Sequence, residues 1–162
     1  LWGKLTNFER SARIPLLIAP PRARYAGTAT RGIVELIDLY PTLVDLCGLP
    51  APHRLEGRSL RPLLDVPDLA WNHPAYTTTI HRGVIGRSIR TDRWRFTEWG
   101  DGVAVELYDH LADPGEYRNL AADPARAGEI AELKKLLAVP PRVAKIPADA
   151  QSELKGKKKN IG

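Results

Sequence analysis

Hydrophobic and polar positions change period several times along this chain. Residues 14–19 read Ile14-Pro15-Leu16-Leu17-Ile18-Ala19, an unbroken apolar run closed by Pro20-Pro21. A short apolar run between turn signals predicts a strand buried on both faces, as in a parallel sheet. Across 33–47 the apolar positions are Ile33, Leu36, Ile37, Tyr40, Leu43, Val44 and Cys47, the three-four spacing of one helix face. Pro41 is tolerated only in a first turn, so the helix is expected to start near Asp38 as N-cap. Gly48 then stands at the C-terminal glycine position, with Pro50 beyond it.

Residues 49–74 are rich in proline, and Leu60, Leu63 and Leu64 suggest one short helical turn within them. From there the period becomes two. Strands are expected at 76–80, 84–90, 94–99 and 103–108, separated by turn residues such as Thr91-Asp92-Arg93 and Gly100-Asp101-Gly102. This predicts an antiparallel meander, with Trp94 and Phe96 on one face and Arg95 and Thr97 on the other. Asp113-Pro114-Gly115 reads as a further turn. Asp123-Pro124 then caps a helix over 125–138, with Ile130, Leu133, Leu136 and Leu137 on one side. Residues 139–162, with Pro140, Pro141, Pro147 and a lysine run, read as a flexible basic tail.

Charge refines this picture. The 162 residues carry a formal net charge of +5. Residues 139–162 hold six basic groups (Arg142, Lys145, Lys155, Lys157, Lys158, Lys159) against Asp149 and Glu153, which accounts for +4 of it. The remainder is nearly neutral, so the charge marks a tail rather than a basic binding face, and a nucleic-acid partner is not expected. No apolar run approaches the roughly 20 residues of a membrane helix. The chain has no methionine and begins Leu1-Trp2-Gly3, which suggests part of a longer or processed polypeptide.

Few residues stand out chemically. Cys47 is alone and on an apolar stripe, and is expected to be a small core residue rather than a nucleophile. His53, His73, His81 and His110 form no close pair. Asp109, His110 and Asp113 are near one another but coincide with a strand end and an Asp-Pro turn, so a metal there is not favoured. Arg82, Arg87, Arg90, Arg93 and Arg95 with Trp94, Phe96 and Trp99 fit a half-buried sheet better than a single-strand nucleic-acid platform; one or two of these arginines would suit an anionic small molecule. Lys4 by itself reads as a solvated charge.

Several segments together resemble the sulfatase family, in particular its iduronate-2-sulfatase-like branch. They are Leu1-Trp2-Gly3-Lys4-Leu5-Thr6-Asn7-Phe8-Glu9, Arg13-Ile14-Pro15-Leu16-Leu17-Ile18, Asp38-Leu39-Tyr40-Pro41-Thr42-Leu43, Leu46-Cys47-Gly48-Leu49-Pro50 and Leu55-Glu56-Gly57-Arg58-Ser59-Leu60 with Pro62-Leu63-Leu64. Gly86-Arg87-Ser88-Ile89-Arg90-Thr91-Asp92-Arg93-Trp94-Arg95-Phe96, Glu106-Leu107-Tyr108-Asp109, Asp113-Pro114, Glu116 and Asn119-Leu120 follow in the same order.

The resemblance implies an α/β fold: the end of the sulfatase-type, alkaline-phosphatase-like α/β domain over 1–65, then a small antiparallel sheet with a C-terminal helix over 66–138, then the tail. It implies hydrolysis of sulfate monoesters, such as sulfated carbohydrates, by a formylglycine nucleophile with a divalent metal, usually Ca2+. The nucleophile, the metal ligands and an Asp-His-Gly segment would lie upstream of Leu1, leaving this portion inactive alone and dependent on the remainder of the catalytic domain. Lys4 matches the family lysine that contacts the sulfate, which makes it the catalytic candidate. His81 or Arg82, in the loop before the strand pair, is the candidate for meeting a sugar carboxylate or second sulfate, against the plain reading of an exposed loop charge. Periplasmic or extracellular placement is a further family expectation. A phosphodiesterase or phosphonate hydrolase of the same superfamily, and a non-catalytic anion-binding module, are the alternatives.

Overall fold

A computed structural model describes residues 4–51 and 54–138. His53 and the basic tail therefore lie outside the described residues. A four-stranded antiparallel sheet forms the centre: β1 (Ala75–His81), β2 (Val84–Arg90), β3 (Trp94–Trp99) and β4 (Ala104–Asp109), in the order β1-β2-β3-β4. These are the expected meander strands, displaced by a residue at some ends. Tight turns set the register. Arg82 and Gly83 both adopt positive φ, 49° and 81°, the pairing that a two-residue hairpin turn of matching twist requires. His81 thus pairs with Val84, and Ile89 with Tyr76 on one side and Phe96 on the other.

One face of the sheet packs on α4 (Ala127–Ala138), which follows a 3-10 turn at Pro124–Arg126. Asp123 accepts the Ala125 N–H at 3.0 Å, the N-cap the sequence places there. Ile89, Phe96 and Leu107 from three adjacent strands meet Leu133 and Leu137, with Trp94, Val105 and Ile130 around them. Each edge strand has a backbone N–H taken up by a side chain. Asn119 Oδ1 accepts the Leu107 N–H of β4 at 3.0 Å, and Glu35 Oε1 accepts the Tyr76 N–H of β1 at 2.7 Å. Such contacts satisfy edge groups that would otherwise recruit another strand.

The opposite face is not the solvated one that alternation suggests. Ser88, Arg95 and Thr97 are all buried there. Thr97 Oγ1 lies 3.0 Å from Ser88 Oγ, which donates to the Phe96 carbonyl at 3.2 Å. The cover is Asn7, Phe8 and Glu9, the last opening the one-turn helix α1 (Glu9–Ala12), together with Glu116.

The N-terminal half departs further from expectation. Residues 14–19 form no helix and pair with no strand among the described residues, and Leu17 is 88% exposed. The backbone of this run can be satisfied by water, since most of the run is exposed. The expected helix is a 3-10 turn at Leu36–Asp38 followed by α2 (Leu39–Leu46), with Pro41 in its first turn and Gly48 at φ 63°. Its apolar stripe, Leu36, Ile37, Tyr40 and Leu43, is exposed, and so is Cys47, contrary to the core role expected of it. The buried side is instead Pro41 and Thr42, which faces the short helix α3 (Arg61–Asp65) and its flank. Thr42 Oγ1 donates to the Asp38 carbonyl at 2.6 Å and accepts the Leu60 N–H at 2.9 Å.

Candidate active-site segment

Three consecutive residues seat the N-terminal segment on the polar face. Asn7 is 2% exposed and lies over Gly86 of β2. A Cβ on Gly86 would fall 2.8 Å from Asn7 Nδ2 and 2.5 Å from the Trp99 ring, so this close approach demands glycine. The Phe8 ring meets Tyr108 edge to face, with centroids 5.8 Å apart. Glu9 then reaches the other end of β2, where its carboxylate pairs with Arg95 and, at 3.3 Å, with Arg90 Nε.

Glu116 completes the cluster. Its Oε2 accepts the Glu9 N–H at 2.6 Å, supplying an acceptor at the start of α1. Its Oε1 pairs with Arg95 Nε at 2.6 Å and with His110 Nε2 at 2.9 Å. The Arg95 and Glu116 side chains are each 3% exposed. Burial raises the pKa of Glu116, but the His110 hydrogen bond, the Glu9 N–H and Arg95 outweigh it, and the net direction is downward. Glu9 behaves likewise: burial raises it, while Arg95 and Arg90 pull it below the ordinary value.

Glu9, His110 and Glu116 bring possible ligand atoms within 4.8 Å of one another. The trio does not fit a divalent cation, because two guanidinium groups already occupy its carboxylates. The Asp109–His110–Asp113 run does not fit one either. Asp109 is engaged by Arg93 Nη2 at 2.6 Å and the Leu111 N–H at 3.0 Å, while Asp113 accepts the Arg118 N–H at 2.8 Å.

His81 and Arg82 stand at the β1–β2 hairpin, and Lys4 is tied to that part of the sheet only through Asn7. Lys4 is exposed, makes no ion pair among the described residues, and precedes Asn7 by three positions. That tether holds it within about 11 Å of Asn7. Asn7 in turn overlies Gly86, two positions from the hairpin residue Val84. His81 is exposed on the first arm of that hairpin, its ring 6.5 Å from Trp99, and Arg82 is exposed at the turn. Neither makes an ion pair among the described residues. Arg90 and Arg95, offered by the sequence for an anionic small molecule, and His110, weighed there for a metal, instead pair internally with Glu9 and Glu116, which were not candidates. Glu9 and Glu116 stand in the family-like segments, yet spacing alone does not reveal that residues 107 positions apart meet.

Comparison with known proteins bears on the family and the fold. Residues 1–140 match the family described as N-sulphoglucosamine sulphohydrolase, C-terminal. Arylsulfatase K of Canis lupus familiaris is 34% identical over 131 residues, covering 73% of this chain and 24% of that protein. A solved 2-O GAG sulfatase superposes with a TM-score of 0.53 at 32% identity, over 77% of this chain and 26% of its own. The phosphonate monoester hydrolase of Silicibacter pomeroyi gives 0.55 at 27% identity, over 66% and 24%. The chain thus spans about a quarter of the length of the relatives it matches. Its sheet and terminal helix are those of the sulfatase C-terminal region, and the chain belongs to the sulfatase family.

Proposed function

We propose that this chain serves as the C-terminal part of a sulfuric ester hydrolase acting on sulfate monoesters, chiefly sulfated sugars, with Lys4 as a catalytic cation. The observation that carries the reading is an exposed ammonium, unpaired among the described residues, on a segment whose next residues are seated on the sheet. As the S–O bond breaks, negative charge grows on the leaving oxygen and persists on the sulfuryl oxygens. A positioned cation lowers the energy of that state more than the ground state, which is what accelerates the step. His81 or Arg82, exposed at the β1–β2 hairpin, would meet a second anionic group of the sugar. The likeness to a 2-O GAG sulfatase supports a sulfated carbohydrate substrate.

In this reading the formylglycine nucleophile and the Ca2+ site belong to polypeptide outside these residues, as the family resemblance implies, and neither acidic cluster described above fits a metal. Periplasmic or extracellular placement belongs to the same reading. The likeness to a phosphonate monoester hydrolase favours phosphonate or phosphodiester chemistry as the second reading.

Hydrolysis of 4-nitrocatechol sulfate and of a nitrophenyl phosphonate ester separates the two. The complete enzyme should prefer the sulfate; a preference for the phosphonate supports the second reading. This chain alone, supplied with calcium, should give no turnover. Calcium-dependent turnover by it would show that the nucleophile has been assigned to the wrong polypeptide.

A further inference from the structure

Three local features disfavour the path that residues 4–9 follow. Leu5 holds a φ of 59° without being glycine. Asn7 is buried, yet neither atom of its amide has a hydrogen-bond partner among the described residues. Glu116, the residue that anchors the far end of the path, itself sits at φ 58°. Such conformations persist only when surrounding contacts over-determine them, and they cluster where a group must be held in place.

The over-determining contacts are the buried charges. Arg95 bridges Glu9 and Glu116, Arg90 adds a second cation to Glu9, His110 holds Glu116, and Glu116 accepts the Glu9 N–H at 2.6 Å. Every one of these contacts bears on Glu9 or on the group that grips it. Five positions before Glu9 stands Lys4, exposed and outside the cluster.

We infer that Arg95 and Glu116 are positioning residues that act on the reaction through Lys4, by clamping the backbone that carries it. The inference rests on the catalytic reading of Lys4 proposed above. A clamp at the start of α1 leaves the ammonium free of carboxylate partners while restricting where it can reach, which is the preorganisation that transition-state stabilisation needs.

A double-variant cycle in the complete sulfatase tests this, with Lys4→Ala, Glu116→Gln and the two combined. The readouts are kcat and KM on 4-nitrocatechol sulfate and hydrogen exchange at the Glu9, Phe96 and Leu107 amides. Glu116→Gln should lower kcat about 10- to 100-fold with KM changed less than about threefold. The Glu9 amide should exchange faster while Phe96 and Leu107 stay protected. The combined variant should be no slower than Lys4→Ala alone, because the clamp acts through that amine. Independent, multiplying losses, or an unchanged kcat in Glu116→Gln, would overturn the clamp while leaving the Lys4 reading intact. An unchanged kcat in Lys4→Ala would overturn both. Should Glu116→Gln also lose protection at Phe96 and Leu107, Arg90→Gln replaces it, removing one cation from Glu9 alone. It should give a smaller kcat loss that again vanishes in the Lys4→Ala background, and a loss that persists there contradicts the clamp.

Discussion

Gly86 shows at the scale of a residue how the N-terminal segment and the sheet constrain each other. Any side chain there would strike the Trp99 ring and the Asn7 amide. Gly86→Ala is therefore expected to cost about 1–3 kcal/mol by overpacking, read as a lowered unfolding midpoint in denaturant. An undiminished midpoint would mean that Asn7 does not lie against β2. This contact was not legible in the sequence, since Gly86 stands inside a strand pattern and nothing local says what approaches it. Lys4 was legible only through the family resemblance; its own surroundings describe an ordinary solvated lysine. Alternation puts Arg95 on the face opposite Phe96 but does not say whether that face is covered. The burial of Arg95 follows from a cover supplied by Glu9, 86 positions away, and Glu116, 21 positions away.

Among the elements, the four strands and the last helix were the most readable. Period-two alternation, tight turns and an Asp N-cap are local signals, and each is realised within a residue or two. The apolar run at 14–19 carries no information about a pairing partner, and among the described residues it has none. Phe96 joins the sheet to α4 and is fully buried. Phe96→Ala should cost about 3–5 kcal/mol in equilibrium unfolding. The charge cluster sets an acid limit. Glu9 and Glu116 titrate in the folded chain below the ordinary glutamate value of 4.5. Their contribution to stability is thus complete above that value and is lost as pH falls through the lower folded values, where the unfolded chain binds more protons. Thermal midpoints measured from about pH 6 down to pH 3 should fall steeply, and Glu116→Gln should flatten the fall. A parallel, equally steep curve for the variant would place the acid sensitivity elsewhere.

For the whole molecule, net charge and exposed apolar surface say different things. Most of the +5 belongs to residues 139–162. A chain lacking them should leave a heparin column at distinctly lower salt, and unchanged retention would put the anion site on the sheet and helices instead. The exposed stripe of α2 and the unpaired run at 14–19 accompany a chain about a quarter as long as its relatives. Among the described residues no helix is long and apolar enough to cross a membrane. Sulfatase membership is shown by the match over residues 1–140, whereas the chemistry proposed here rests on a single amine. Steady-state kinetics of Lys4→Ala in the complete sulfatase, on 4-nitrocatechol sulfate, probes that amine directly. kcat should drop about 100- to 1,000-fold with little change in KM. A kcat within about twofold of the parent would mean that Lys4 carries none of the charge stabilisation assigned to it.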